Sequence, residues 1–389
     1  MRQHFLLEPD LIFLNHGSFG ACPKVVFEQR MEILRQVEQD PVDFYGRRFS
    51  DLLQHARQVL GSYLGAQADD LVFVDNATVG VNIVAQSLRL EPGDEVLASN
   101  HEYGACEATW QIHCARQGAH YRQFQIDLPF DAEQALASFR RALGPRTRVV
   151  FLSHVTSATA LTLPIAEMIV AAHHHGALVV IDGAHAPAFL DLDLKLIDAD
   201  FYTGNCHKWM CAPKSAAFLF VRTDHHGLIR SPLLSWGHVE FDADLPSPVA
   251  RLTGSSALHR QLQWLGTRDI SAALSVPSAI TFMQQHDWHR RRAECRALAQ
   301  SFAPRLAERL GTRQCDVHGS DAQMVSIALP KCDGAQISET LYRRHRIEMP
   351  VMVHAGVQLA RYSVQVYNTA AELERLLEAL PEALASPED

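Results

Sequence analysis

VVIDGAHAPAF (residues 179–189) and, nine residues on, DADFYTGNCHKWMCAPK (residues 198–214) decide how this chain is read. An apolar run ends on a carboxylate, Asp182, with His185 three residues later, and a second run delivers His207 and Lys208. Taken singly, Asp182 reads as an acid that ends a strand and caps the next turn, and Lys208 as a solvated surface lysine. Lys208, however, stands among Cys206, His207, Trp209, Met210 and Cys211, neutral or apolar neighbours that lower the proton affinity of an amine and make it nucleophilic. The ordered set favours a pyridoxal 5′-phosphate (PLP) site. There the lysine forms the Schiff base, and the aspartate keeps the pyridine nitrogen protonated so that the ring accepts electrons.

Outward from this stretch, strand and helix patterns alternate. Strands are expected at Leu71–Val74, Glu95–Ala98, Thr147–Ser153 and Leu178–Ile181. Helices are expected from Thr78 to Leu88, from about Ala105 to Gln117, and over Pro164–His175, where proline suits the first turn. The uniformly apolar strands predict an α/β fold with a parallel sheet covered on both faces, where ligands collect at the carboxyl ends; Asn76, His154 and Asp182 fall there. The last third changes character. Helices over Ser275–His286 and Trp288–Leu310, a strand at Met324–Leu329, a helix at Ile337–Arg344, strands near Glu348–Val353 and Leu359–Val366, and a closing helix from Ala371 predict a smaller α+β unit. Three parts are expected: an N-terminal segment 1–20, a large domain 21–272 and a small domain 273–389. The stretch Arg230–Ser271, rich in Pro, Gly and Ser, reads as a long functional loop and connection, and its part Arg230–Ser256, with Trp236, His238 and Phe241, is expected to shape a side-chain pocket.

Composition narrows the partners. With 389 residues, 47% hydrophobic and 20% charged, the chain can bury a sizeable core. A net charge of −9 without a basic block argues against nucleic acid, and no apolar run reaches the ~20 residues of a membrane span. No leader pattern opens the sequence, so a cytoplasmic location is expected. Eight cysteines without a C-x-x-C pair make neither a disulfide scaffold nor a zinc site, and the three consecutive histidines 173–175 point in different directions on a helix, so no metal is expected.

Nine motifs in order carry a resemblance: LNHGSFG at 14–20, DNATVGVN at 75–82, NHEYGA at 100–105, LSHVTSATAL at 152–161, DGAHAP at 182–187, YTGNCHKWMCAPK at 202–214, LSWG at 234–237, WLGTRD at 264–269 and RYSVQVYNT at 361–369. The chain resembles the class V aminotransferase group of fold-type I PLP enzymes, and within it the isopenicillin N epimerase-like proteins. The resemblance implies a large domain built on a mainly parallel seven-stranded sheet between helices, and a smaller C-terminal α+β domain. It implies Lys208 as the Schiff-base lysine and Cα base, Asp182 on the pyridine nitrogen, and His185 and Thr156 near the phenolic oxygen. Ala77 and Thr78 at a helix start, with Asn205 and His207, would bind the phosphate. Tyr103 would stack on the ring face opposite the lysine, Arg361 would grip the substrate carboxylate, and Asn15 and His16 would sit at the substrate mouth. Gly266 and Thr267 would reach the phosphate of a neighbouring subunit, making a homodimer with a shared active site. In two places the sequence departs from its relatives: Ala188 and Ser215 stand where glycine is commoner.

Three reactions stay open. Racemisation or epimerisation at Cα needs proton-handling groups on both faces, Lys208 and Tyr103. β-Elimination, C–S cleavage included, needs Lys208 and a leaving group. Transamination needs Lys208 to carry the proton from Cα to the cofactor. The resemblance leans to the first. Desulfuration by persulfide transfer is disfavoured, because MPVMVHAGVQLARYS, which leads into Arg361, holds no cysteine, and Cys315 and Cys332 read as ordinary thiols. A non-catalytic PLP-binding protein is the reading least supported.

Overall fold

The structure, a computed structural model, describes residues 1–239, 252, 254, 256–316 and 322–385. Its centre is a seven-stranded sheet of β1 (Leu71–Val74), β2 (Glu95–Ser99), β3 (His120–Phe124), β4 (Thr147–Ser153), β5 (Leu178–Asp182), β6 (Phe201–Asn205) and β7 (Ala217–Val221). The strands lie in the order β1-β7-β6-β5-β4-β2-β3, and only β7 runs antiparallel to its neighbours. Strands β2, β6 and β7 are buried along their whole length, as apolar strands covered on both faces must be. The edge strand β3, HYRQF, leaves three of its five residues exposed, so it shows no apolar run and no strand pattern in the sequence.

Helices cover both faces. α1 (Lys24–Gln39) and α2 (Phe49–Leu64) pack with Val276–Gln285 on one side, and α3 (Ala77–Ser87) and α4 (Gly104–Gln117) on the other. The start of α3 is fixed twice: Asn76 Oδ1 accepts the Val79 N–H at 2.9 Å, and Asn205 Oδ1 at the end of β6 accepts the Ala77 N–H at 2.8 Å. A Cβ on Gly80 would stand 2.2 Å from Thr203 Oγ1, so only glycine lets α3 lie this close to β6.

A second apolar cluster gathers around β8 (Met324–Ala328), β9 (Val351–His354) and β10 (Val357–Ser363), an antiparallel sheet in the order β9-β10-β8 backed by helices Trp288–Leu310, Gly334–His345 and Ala370–Ala385. The N-terminal segment is built into this unit. Ile12 and Phe13 pair parallel with Ile347 and Glu348, and the Ser363 N–H donates to the Leu14 carbonyl at 2.8 Å. Six residues on from Leu14, the chain turns against the lysine: a Cβ on Gly20 would lie 2.5 Å from the His207 and Lys208 carbonyl oxygens. The expected long loop Arg230–Ser271 is partly regular, with a short helix at Ala257–Leu262. Phe241 lies outside the described residues.

Candidate active site

The carboxyl ends of β1, β4, β5 and β6 open onto one cavity of about 730 Å³. Asp182, His185, Asn205, His207 and Lys208 line it, with Ala77 and Thr78 from the start of α3, Tyr103 from the start of α4, and Arg361 from β10. Eight of these nine come from the large sheet and its loops; Arg361 crosses from the small unit.

Lys208 keeps its accessible surface on this cavity, and burial lowers its proton affinity to about 7, with Arg361 adding to the fall and Asp182 opposing it. Its Nζ is 3.2 Å from His185 Nε2. The Trp209 indole N–H donates to His185 Nδ1 at 3.4 Å. An indole nitrogen only donates, so the proton of this neutral imidazole sits on Nε2 and points at Lys208, which accepts it as a free amine. Burial, then the lysine charge, pushes His185 well below its ordinary value, which keeps the ring neutral.

Asp182 is 4% exposed, and burial raises its proton affinity. Among the described residues no arginine or lysine forms an ion pair with it. Its Oδ1 accepts the Ala184 N–H at 2.9 Å. A buried carboxylate without a paired cation suits a cationic ring N–H. At the other end, the Thr78 N–H lies in the first turn of α3 and has no intrahelical acceptor, and Lys214 adds a cation to the cavity wall. His207 Nδ1 donates to the Ala216 carbonyl at 3.1 Å, leaving Nε2 available. The donor set thus fits PLP: an acid for the pyridine nitrogen, an amine for the aldehyde, and a helix start with one added cation for the phosphate.

Arg361 is 1% exposed, and burial lowers its proton affinity to about 10. Its partners are all neutral: the Ser157 carbonyl at 2.7 Å, Ser18 Oγ at 2.5 Å, and nothing for Nε. A buried guanidinium held only by neutral groups suits an incoming carboxylate.

Three expectations change. His16 is fully buried behind the lysine, its Nε2 3.0 Å from the Lys208 carbonyl and its Nδ1 2.8 Å from Tyr367 Oη, and it lines no part of the cavity. Asn15 turns to Glu348 at 3.2 Å. In the same segment Gly17, Ser18 and Phe19 face the cavity instead. Thr156 Oγ1 is spent on Thr159 Oγ1 and the Leu161 N–H, both at 2.8 Å, while its neighbours Val155 and Ser157 reach the wall. In each case a one- or two-residue shift in side-chain direction is set by the turn, which a linear motif does not encode. Gly266 and Thr267 line no part of this subunit's cavity. Lys214, Ser215, Ser153 and Met352 were missed; Lys214 closes the quoted stretch and Ser215 follows it, but nothing in sequence marks Met352.

This fold and this site define a fold-type I PLP enzyme. The family described as aminotransferase class-V matches residues 14–376, and the chain belongs to it; PLP is the cofactor of that family. Isopenicillin N epimerase of Amycolatopsis lactamdurans is 38% identical over 98% of this chain and 97% of its own length. Isopenicillin N epimerase of Streptomyces clavuligerus is 36% identical over 97% and 96%. A probable chloroplastic L-cysteine desulfhydrase of Arabidopsis thaliana is 29% identical over 96% and 83%. Among solved structures, the cystine C–S lyase C-DES in complex with its reaction product cysteine persulfide superposes with a TM-score of 0.83 at 23% identity, covering 96% of this chain and 97% of that one.

Proposed function

We propose that the protein is an epimerase-type PLP enzyme acting at the Cα of an amino acid or amino-acid-like metabolite. The observation that carries the reading is the free amine of Lys208, held by His185 in the same cavity as the unpaired carboxylate of Asp182 and the neutral-partnered Arg361. When bound, the cofactor supplies the electron sink. Arg361 holds the substrate carboxylate and so orients the Cα–H bond, and Lys208 Nζ takes that proton. With the cofactor bound, His185 Nε2–H, now directed at Lys208 Nζ, would donate to the phenolic oxygen. The Tyr103 hydroxyl, which no described residue holds, is the candidate proton donor on the second face. The near full-length likeness to two epimerases supports this path, and isopenicillin N, which their names carry, is the first substrate to test.

β-Elimination is the second reading, favoured by the likeness to the desulfhydrase. Persulfide transfer stays disfavoured, since no described cysteine lines the cavity. A homodimer with Gly266 and Thr267 completing the partner's phosphate site belongs to the same proposal.

The reconstituted enzyme should take up PLP, and borohydride should fix the cofactor to the Lys208 peptide. Incubation in D₂O then separates the paths. Deuterium at an inverted Cα supports epimerisation, and a keto acid with ammonia supports elimination. Labelled recovery in neither form, with the cofactor left as its amine, supports transamination. Uptake of PLP at a lysine other than Lys208 overturns the whole reading.

A further inference from the structure

Asp182 Oδ2 lies 3.6 Å from Cys106 Sγ, and Cys106 is fully buried in the first turn of α4. The thiol is the donor in this pair. Burial and the nearby Asp182 push its proton affinity far above the ordinary thiol range, so the sulfur keeps its hydrogen. The first turn of α4 and the acid that would face the ring nitrogen are therefore joined through one sulfur atom.

We propose that Cys106 is a positioning residue whose S–H, donated to Asp182 Oδ2, decides how a proton is shared between Asp182 and the pyridine nitrogen of the cofactor. The inference rests on PLP binding at this site, not on which reaction follows.

The groups facing Asp182 pull in opposite directions. The Ala184 N–H, the Cys106 S–H and the Lys208 charge favour the carboxylate. Burial opposes it, as does Glu102, a second buried carboxyl that accepts from Ser99 Oγ at 2.5 Å and Ser153 Oγ at 2.6 Å. Tyr202, also near, stays protonated. Burial is the largest of these influences and the net effect raises the proton affinity of Asp182, so a donor lost adds to the rise. Without the S–H, Asp182 becomes the stronger base and the proton moves from the ring nitrogen to Oδ2; no other species gains or loses a proton. The ring then loses its charge and part of its electron-accepting power.

The test uses wild type, Cys106→Ala, Cys106→Val and Cys106→Ser, each reconstituted with PLP carrying ¹⁵N at the ring nitrogen and read by NMR across pH. Cofactor loading at Lys208 is checked first, so a failure of the cofactor reading is seen separately. In Ala and Val the ring-nitrogen signal should move toward the unprotonated position. The midpoint should shift by about 0.5–1 pH unit, about three- to tenfold in proton affinity, while Ser stays near wild type. Four identical titrations, or Ser following Ala and Val, overturn the proposal. If the apolar variants do not fold, the wild-type-minus-Cys106→Ser infrared difference isolates the Cys106 S–H band, which should shift between apo and holo forms; an unchanged band overturns the proposal.

Discussion

A lysine that releases its proton near neutrality leaves a mark on stability as well as on chemistry. The unfolded chain holds the Lys208 proton up to its ordinary value of 10.5, the folded apoprotein only up to about 7. Between those values the unfolded state binds more protons, so this group makes stability rise with pH, by about 1.4 kcal/mol per unit. Below pH 7 the penalty is complete, and above 10.5 it vanishes. Lys208→Met should therefore unfold at higher urea than wild-type apoprotein at pH 7, with the gap closing toward pH 10; a constant gap would show an unperturbed amine. The lowered proton affinity was legible, because Lys208 stands among neutral and apolar neighbours in the sequence. Two other residue-scale features gained their meaning only from backbone angles. Ala188 and Ser215 have φ of 63° and 70°, the left-handed region that disfavours a side chain. Ala188→Gly and Ser215→Gly should each raise stability by about 0.5–1 kcal/mol in thermal melts, the strain relieved outweighing glycine's entropy.

At the scale of elements, the contact of α3 with β6 shapes the end of the cavity proposed to hold the phosphate. Gly80 permits it, and Asn205 ties the helix start to the strand end. Gly80→Ala should cost about 1–3 kcal/mol through overpacking against Thr203 and loosen PLP retention, measured by dialysis; adding Thr203→Ser, which keeps the clashing hydroxyl, should give little relief, and Thr203→Ala more. The apolar strands β1, β4 and β5 could be read directly, since they are buried on both faces. Edge strand β3 could not, because half of its surface is solvent. Helices α1 and α2 also went unread, and so did the antiparallel course of β7, since strand direction is a property of pairing and not of a local run.

Over the whole molecule, burial of neutral histidines makes the fold acid-sensitive. Burial lowers His16 to about 3, and His101, His154, His207 and His259 to about 4. Each is protonated more readily in the unfolded chain below its ordinary 6.5, so stability falls as pH drops from about 6.5 toward 4. Acid unfolding should begin in that window, and His259→Gln, far from the cavity, should make the decline shallower in urea titrations. His16 has a further part: it pins the Lys208 carbonyl, Tyr367 and the N-terminal segment together, joining the lysine loop to the small unit. The proposed dimer has its own test at this scale. Lys208→Ala and Thr267→Ala, each inactive or weakened alone, should regain activity when unfolded and refolded together, since hybrids carry one intact site; no gain on mixing would place both residues in one subunit's site.

The order of the motifs along the chain determined the α/β class and the cofactor, and it singled out Lys208, Asp182, His185 and Arg361 as candidates, because those depend on residue chemistry and strand-end position. Only the tertiary structure decided which neighbour faces inward. Ser18 was preferred to His16 and Ser157 to Thr156, and Cys106 was brought onto Asp182, since one residue along a turn redirects a side chain that sequence spacing leaves free.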